Sequence, residues 1–375
     1  MKKYFIAIAI FALAVCSVAH AEMEISGNMT TGTAFQMDSA NAVNTVTGTR
    51  GAGGITQGDL RFAPTASSKH FGFYVDQAEI DVESEFGENI RARVDFDLRD
   101  LGSPSVSAFL LEQAYVTANF PIGNGMEFLI GKFNAPIGTE SVDRHENIFP
   151  TYTPGYVFLV PKQVMGSKIY YDFNDNWNFD FVLVDSLNAT LGGNSPYPSG
   201  IMRFGVIWGD EGRESYVHLA GGFGPEHNVA VGQSSEDMHF DMLGDLWANF
   251  AFGDFWDLGF EATYRMTDTR IGTTNQTAMA GQLFTKYQAS EVWSVQLRAA
   301  AFWDMDTAGL GSGASTTGGT WGGFEGKTYS GSLATTYQIT DGANFTFEYR
   351  FDYADPVGLA TANFHTVMTE FAYNF

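Results

Sequence analysis

Charged residues recur at every second position in several stretches of this sequence, and they do so without metal-ligand or catalytic spacing. Glu79, Asp81, Glu83 and Glu85 alternate with Ala78, Ile80, Val82 and Phe86. A few residues on, Arg91, Arg93, Asp95, Asp97 and Arg99 alternate with Ile90, Ala92, Val94, Phe96 and Leu98. The pattern returns at Asp257, Glu261 and Arg265, and again at Glu348, Arg350 and Asp352. Successive side chains of a strand point to opposite faces, so each charged set shares one face. An acidic wall opposed to a basic one across water sets up a transverse field that orients polar solutes and discriminates ions. The plainer alternative is that neighbouring strands pair their own charges across the ladder.

A second group lies outside any alternating run. Glu140, Asp143, Arg144, His145 and Glu146 are followed by Tyr152, Tyr156 and Phe158 in a long connection over residues 135–166. Folded inward, such a loop narrows whatever space the strands enclose; laid over a rim, it does nothing of the kind. Other chemistry fares poorly. The histidines beyond residue 21 (His70, His145, His218, His227, His239, His365) show no H-E-x-x-H or other ligand spacing. Asp143-Arg144-His145-Glu146 reads as solvated loop rather than a catalytic set. Gly326-Lys327-Thr328 has Trp321 where a phosphate loop needs its first glycine. Glu236 and Asp237 could hold divalent cations near a lipopolysaccharide surface, although solvated charge is the simpler reading. No cofactor and no enzymatic activity are expected.

The elements that must carry these charges are strands. Sixteen candidates fall near residues 23–37, 72–86, 89–100, 109–120, 126–134, 167–174, 177–186, 201–209, 214–223, 239–252, 256–268, 278–289, 292–304, 328–340, 344–353 and 362–375. Nearly all have one wide, aromatic, apolar face. In the first, Met23, Ile25, Met29, Phe35 and Met37 form it; in the second, Tyr74 joins Ala78, Ile80, Val82 and Phe86. Tight turns such as Gly87-Glu88, Gly253-Asp254 and Asp341-Gly342 alternate with long connections. Lipid outside and water inside explains this better than a soluble sandwich does. In hydrocarbon an unpaired backbone group costs several kcal/mol, so the sheet must close. The expected fold is an all-β, antiparallel, up-and-down transmembrane barrel of about sixteen strands, with short periplasmic turns and long extracellular loops. A ring of that size is too wide for side chains to fill.

Both ends of the chain agree. Residues 1–21 read as a cleaved secretory signal: Lys2 and Lys3, an apolar run from Tyr4 to Val15, then Ala19-His20-Ala21. The one cysteine, Cys16, sits inside it in a poor lipoprotein box. Residues 22–375 then form a single barrel domain without disulfides. Removing Lys2 and Lys3 from 20 basic residues leaves 18 against 43 acidic, a net charge of −25. Such a balance gives no electrostatic reason to bind nucleic acid. At the other end Val367, Thr369, Phe371, Tyr373 and Phe375 share a face. Phe371, Tyr373 and Phe375 resemble the C-terminal assembly signal of Gram-negative outer-membrane barrels.

Residues 109–175 carry a closer resemblance. Phe128-Leu129-Ile130-Gly131-Lys132-Phe133 and Ala135-Pro136-Ile137-Gly138-Thr139-Glu140 are similar to a G-K-F-x-x-x-x-G-x-E hallmark of the OmpL-like β-barrel porins. Leu111 to Val116 upstream, and the Asn-, Tyr- and Pro-rich stretch from Asn147 to Pro161, fit the same family. The resemblance implies an outer-membrane, porin-like barrel. Together with the charge pattern it leads to a passive diffusion channel for small hydrophilic solutes or ions, with weak cation preference. The alternative is a non-conducting structural or adhesive barrel whose loops bind a partner. Membrane lipid, lipopolysaccharide and the barrel-assembly machinery are the expected partners, with a homotrimer left open.

Overall fold

A computed structural model describes residues 21–38, 69–100, 107–187, 197–227, 238–267, 276–305, 326–356 and 361–375. Sixteen strands form one closed antiparallel barrel, each paired with its sequence neighbour and the last with the first. They are β1 (Ala21–Asp38), β2 (Lys69–Phe86), β3 (Ile90–Asp100), β4 (Ser107–Phe120), β5 (Met126–Asn134), β6 (Gln163–Asn174), β7 (Trp177–Val184) and β8 (Ser199–Trp208). The ring continues through β9 (Ser215–His227), β10 (Met238–Phe252), β11 (Trp256–Thr267), β12 (Gln276–Gln288), β13 (Trp293–Asp304), β14 (Gly326–Thr340), β15 (Ala343–Pro356) and β16 (Ala362–Asn374). Every strand coincides with an expected one. The largest shifts, about four residues each, are at the end of β9, which runs on to His227, and at the start of β6, which begins at Gln163, so the connection from β5 covers residues 135–162.

The apolar faces point outward. In β13 burial alternates without a break, with Trp293, Val295, Leu297 and Trp303 outside and Gln296 and Arg298 inside. Aromatic side chains gather at the short-turn end: the Trp256 ring packs at a tilt against Tyr287 with centroids 4.6 Å apart, and Trp293 against Tyr337 at 4.9 Å. An exposed apolar band bounded by aromatics is what a hydrocarbon environment selects on the outside of a barrel. Gly87 and Gly253 take left-handed φ values of 66° and 55° in the tight turns after β2 and β10, where a side chain would strain the backbone.

Two irregularities matter for the interior. Thr30 pairs with Gln77 and Thr31 with Val75, leaving Asp76 as a β-bulge in β2. Likewise Asp95 pairs with Gln113 and Phe96 with Leu111, leaving Glu112 as a bulge in β4. A bulge inserts one residue and reverses which face the next positions occupy. The assignment of Tyr74 to the apolar face is therefore corrected. Beyond the bulge its hydroxyl donates to the Thr369 carbonyl at 3.1 Å and reaches the carboxylate of Glu370, a buried residue, at 3.4 Å.

Candidate functional site

The connection between β5 and β6 enters the barrel and crosses it. It contains a 3-10 turn at Arg144–Glu146 and one short helix, α1 (Pro154–Phe158), capped by the Thr153 side chain accepting from the Tyr156 amide. Ile137, Val142, Tyr152, Tyr156 and Val160 pack against inward residues of β5–β10, including Leu129, Phe133, Val182, Ile201, Leu243 and Trp247. Apolar burial fastens the loop to that half of the wall.

Polar contacts fasten it to the other half. Arg298 of β13, only 2% exposed, binds Glu140 at 3.0 Å, Glu348 at 3.5 Å and the Thr151 hydroxyl at 2.7 Å. Glu348 of β15 accepts from the Thr151 amide at 3.0 Å, and Arg350 donates to the Tyr152 carbonyl at 2.6 Å. In β11, Glu261 accepts from the Thr139 amide and hydroxyl, and Arg265 donates to the Leu159 carbonyl at 2.8 Å. On the bulged side, Arg144 pairs with Asp76 at 2.5 Å, and its amide donates to the Gln77 side chain at 2.9 Å. The Arg144 guanidinium also lies 3.5 Å from the centre of the Tyr152 ring. β13 and β14 stand halfway round the ring from the β5–β6 root, so the loop spans the diameter.

The expected site residues therefore divide. Glu261, Arg265, Glu348 and Arg350 face inward but are committed to the loop, and Asp352 holds Arg350 at 2.7 Å. Asp257 is taken by Arg213 from the β8–β9 turn at 3.0 Å. Arg91 pairs with Glu83 at 3.4 Å and Glu127 at 3.8 Å, and Arg93 with Asp95 at 2.8 Å and Asp81 at 3.7 Å. Facing pairs across the β2–β3 ladder are Glu83 with Arg93 and Glu85 with Arg91, but also Asp81 with Asp95 and Glu79 with Asp97. Cross-strand pairing thus operates toward the short-turn end, and an acidic surplus gathers further up. The Arg99 side chain lies outside the described residues, as do Glu236 and Asp237.

Within the loop, Glu140 accepts from the Thr153 amide at 3.1 Å as well as from Arg298. Asp143 is buried against β2. Burial, and after it the charge of Glu146, push its carboxyl up to about 6. His145 and Glu146 line a cavity of about 200 Å³ with Lys286, Glu291 and Glu370, on the short-turn side of the loop. A second cavity, of about 300 Å³, lies between the loop and β8–β10 beside Lys162, Arg203 and His218. Sequence reading missed Asp76, Gln77, Glu112, Gln113, Arg203, Asp241 and Arg298. Ser294, Gln296 and Arg298 alternate plainly enough to have marked β13 as a polar wall, whereas the bulge residues break the two-residue period.

A closed antiparallel barrel with a long loop drawn across its interior defines the class of outer-membrane porins. The chain belongs to the family described as "Putative beta-barrel porin-2, OmpL-like", whose profile matches residues 23–375. No curated protein matches the sequence. Among solved structures, the outer membrane channel DcaP of Acinetobacter baumannii is similar with a TM-score of 0.69 at 13% identity, covering 95% of this chain and 97% of its own. The anion-selective porin from Comamonas acidovorans gives 0.65 at 11% identity, with 95% and 100% covered. The trimer form of OmpT from Vibrio cholerae gives 0.61 at 12% identity, with 95% and 99% covered. These identities speak for the fold.

Proposed function

We propose that this outer-membrane barrel is a passive diffusion channel for small hydrophilic solutes or ions, with a weak preference for cations. The observation that carries the reading is the 135–162 loop, anchored on both halves of the wall, which divides the interior and acts as a constriction. Passage beside it runs past the partly or fully exposed Asp81, Glu83 and Glu85, which outnumber Arg91 and Arg93 on the facing strand, while Asp95 and Asp97 are buried. The constriction loop and pore lining assigned from the sequence are retained in this form. The anion selectivity named for the Comamonas structure is not carried over, since so distant a likeness speaks for the fold alone. Short turns are placed on the periplasmic side and long connections outside. A homotrimer, contacts with lipopolysaccharide, and assembly through the β16 aromatic face complete the reading. Cleavage after Ala21 is checked by the mass of the mature protein.

The test is single-channel conductance in a planar bilayer, with reversal potential under a salt gradient. Steady current with a cation-side reversal is expected, and the combined Asp81→Asn and Glu83→Gln changes should diminish that bias. Absence of current from a folded, heat-modifiable barrel would overturn the channel reading. One observation favours the second reading, a closed structural or adhesive barrel: the loop buries a continuous apolar core against β5–β10. Absence of current would leave that reading standing.

A further inference from the structure

Glu79, Glu112 and Asp143 come from three different elements, namely β2, the bulge of β4 and the crossing loop, yet a carboxylate oxygen from each lies within 4.8 Å of the others. A second group, Glu79, Asp81 and Asp95, shares Glu79 with the first. Two oxygens bound to one calcium at about 2.4 Å each stand at most about 4.8 Å apart, so the spacing is that of ligands around a common ion. All three residues are more than nine-tenths buried: Glu79 is 2% exposed, Glu112 2% and Asp143 7%.

The arrangement around Glu79 is directional. Its Oε2 accepts from Asn28 at 2.8 Å and from Gln77 at 2.7 Å, which holds the carboxylate in one orientation. Its Oε1 accepts no hydrogen bond among the described residues, and neither does Asp143 Oδ1. Arg93 is engaged with Asp95 and Asp81, and Arg144 with Asp76. Glu79 and Asp143 lie within hydrogen-bonding reach of each other, and such a buried pair is expensive as two anions, because burial removes their hydration. Carboxylates converging from separate elements, with an oxygen of Glu79 and one of Asp143 accepting no hydrogen bond, suit a hard cation that takes several oxygens.

We propose that Glu79, Glu112 and Asp143 form a divalent-cation site, calcium being the ion of best fit, that ties the crossing loop to β2 and β4. Calcium accepts six to eight oxygens in irregular geometry, with water completing the shell; magnesium demands a stricter octahedron. The site is a further fastening of the loop, beside the apolar core, the Arg298 cluster, the Glu261 and Arg265 contacts of β11 and the Arg144–Asp76 pair. It does not depend on whether the barrel conducts.

The experiment is calorimetric titration of CaCl2 into the folded, chelator-treated barrel in detergent, for the native sequence, Asp143→Asn and Glu112→Gln. Glu88→Gln, an exposed change in the tight turn after β2, serves as the control. Native protein and control should share a site with a dissociation constant on the order of 0.1–1 mM, weakened at least about tenfold in the two site variants. Equal binding in native and site variants overturns the proposal. Should a variant fail to fold, crystals of the native protein soaked in terbium give the second readout. An anomalous peak between Glu79 and Asp143 supports the site, and peaks confined to other carboxylates overturn it.

Discussion

Arg298 shows how much of the interior rests on single side chains. It is buried, lies 4.3 Å from the Phe149 ring centre, and is the only bridge seen among the described residues between the loop's Glu140 and the wall's Glu348. Truncating one partner of a buried ion pair leaves the other charge uncompensated, typically at a cost of about 3–5 kcal/mol. Arg298→Gln should lower the unfolding midpoint of the assembled barrel accordingly, followed by the loss of heat-modifiable mobility. It should also raise single-channel conductance by loosening the loop. Arg91 is the useful contrast. Its side chain is 40% exposed and its partner Glu83 30%, so water screens the pair. Arg91→Gln should change the unfolding free energy by less than about 1 kcal/mol, and a larger effect would show that the pairs of β2 and β3 have a structural role.

Among the elements, the bulge at Asp76 is the most instructive. It lets two adjacent residues, Asp76 and Gln77, both face inward and hold Arg144. Deleting Asp76 would place Val75 and Gln77 in consecutive ladder positions, leaving each face of β2 intact. The deletion should therefore yield a folded barrel with the loop freed at one anchor, read as increased current noise without loss of heat-modifiable mobility. A variant that does not assemble would show the bulge to be essential to closure. The same bulge marks where sequence reading stops. Period-two patterning located every strand, because each needs an apolar lipid face and a polar inner one, as the unbroken alternation of β13 illustrates. It could not locate Asp76, Gln77 or Glu112, because a one-residue insertion leaves no mark in composition. It also could not tell that Glu261 and Glu348 serve the loop rather than solute, since those bonds join residues more than a hundred positions apart.

For the whole molecule, closure depends on one seam. β1 and β16 pair from Asn28 with Asn374 to Asp38 with Phe364, and beyond the strand Phe375 exchanges backbone hydrogen bonds with Gly27 at 3.0 and 3.2 Å. Gly27 has no room for a side chain, since a Cβ there would sit 2.3 Å from the Glu79 carbonyl oxygen. Removing Phe375 should reduce the fraction of protein recovered as assembled barrel, measured by gel mobility with and without heating; unchanged recovery would show that the last exchange of bonds is dispensable. The seam has another consequence. Its two halves are the first and last strands of the ring, made at the greatest separation in time that synthesis allows. A chain interrupted at any earlier point keeps β1 waiting with an edge that no other strand satisfies, and hydrocarbon does not tolerate that edge. The ring is in this sense a checksum: a copy enters the membrane as a closed barrel only when every strand has been delivered.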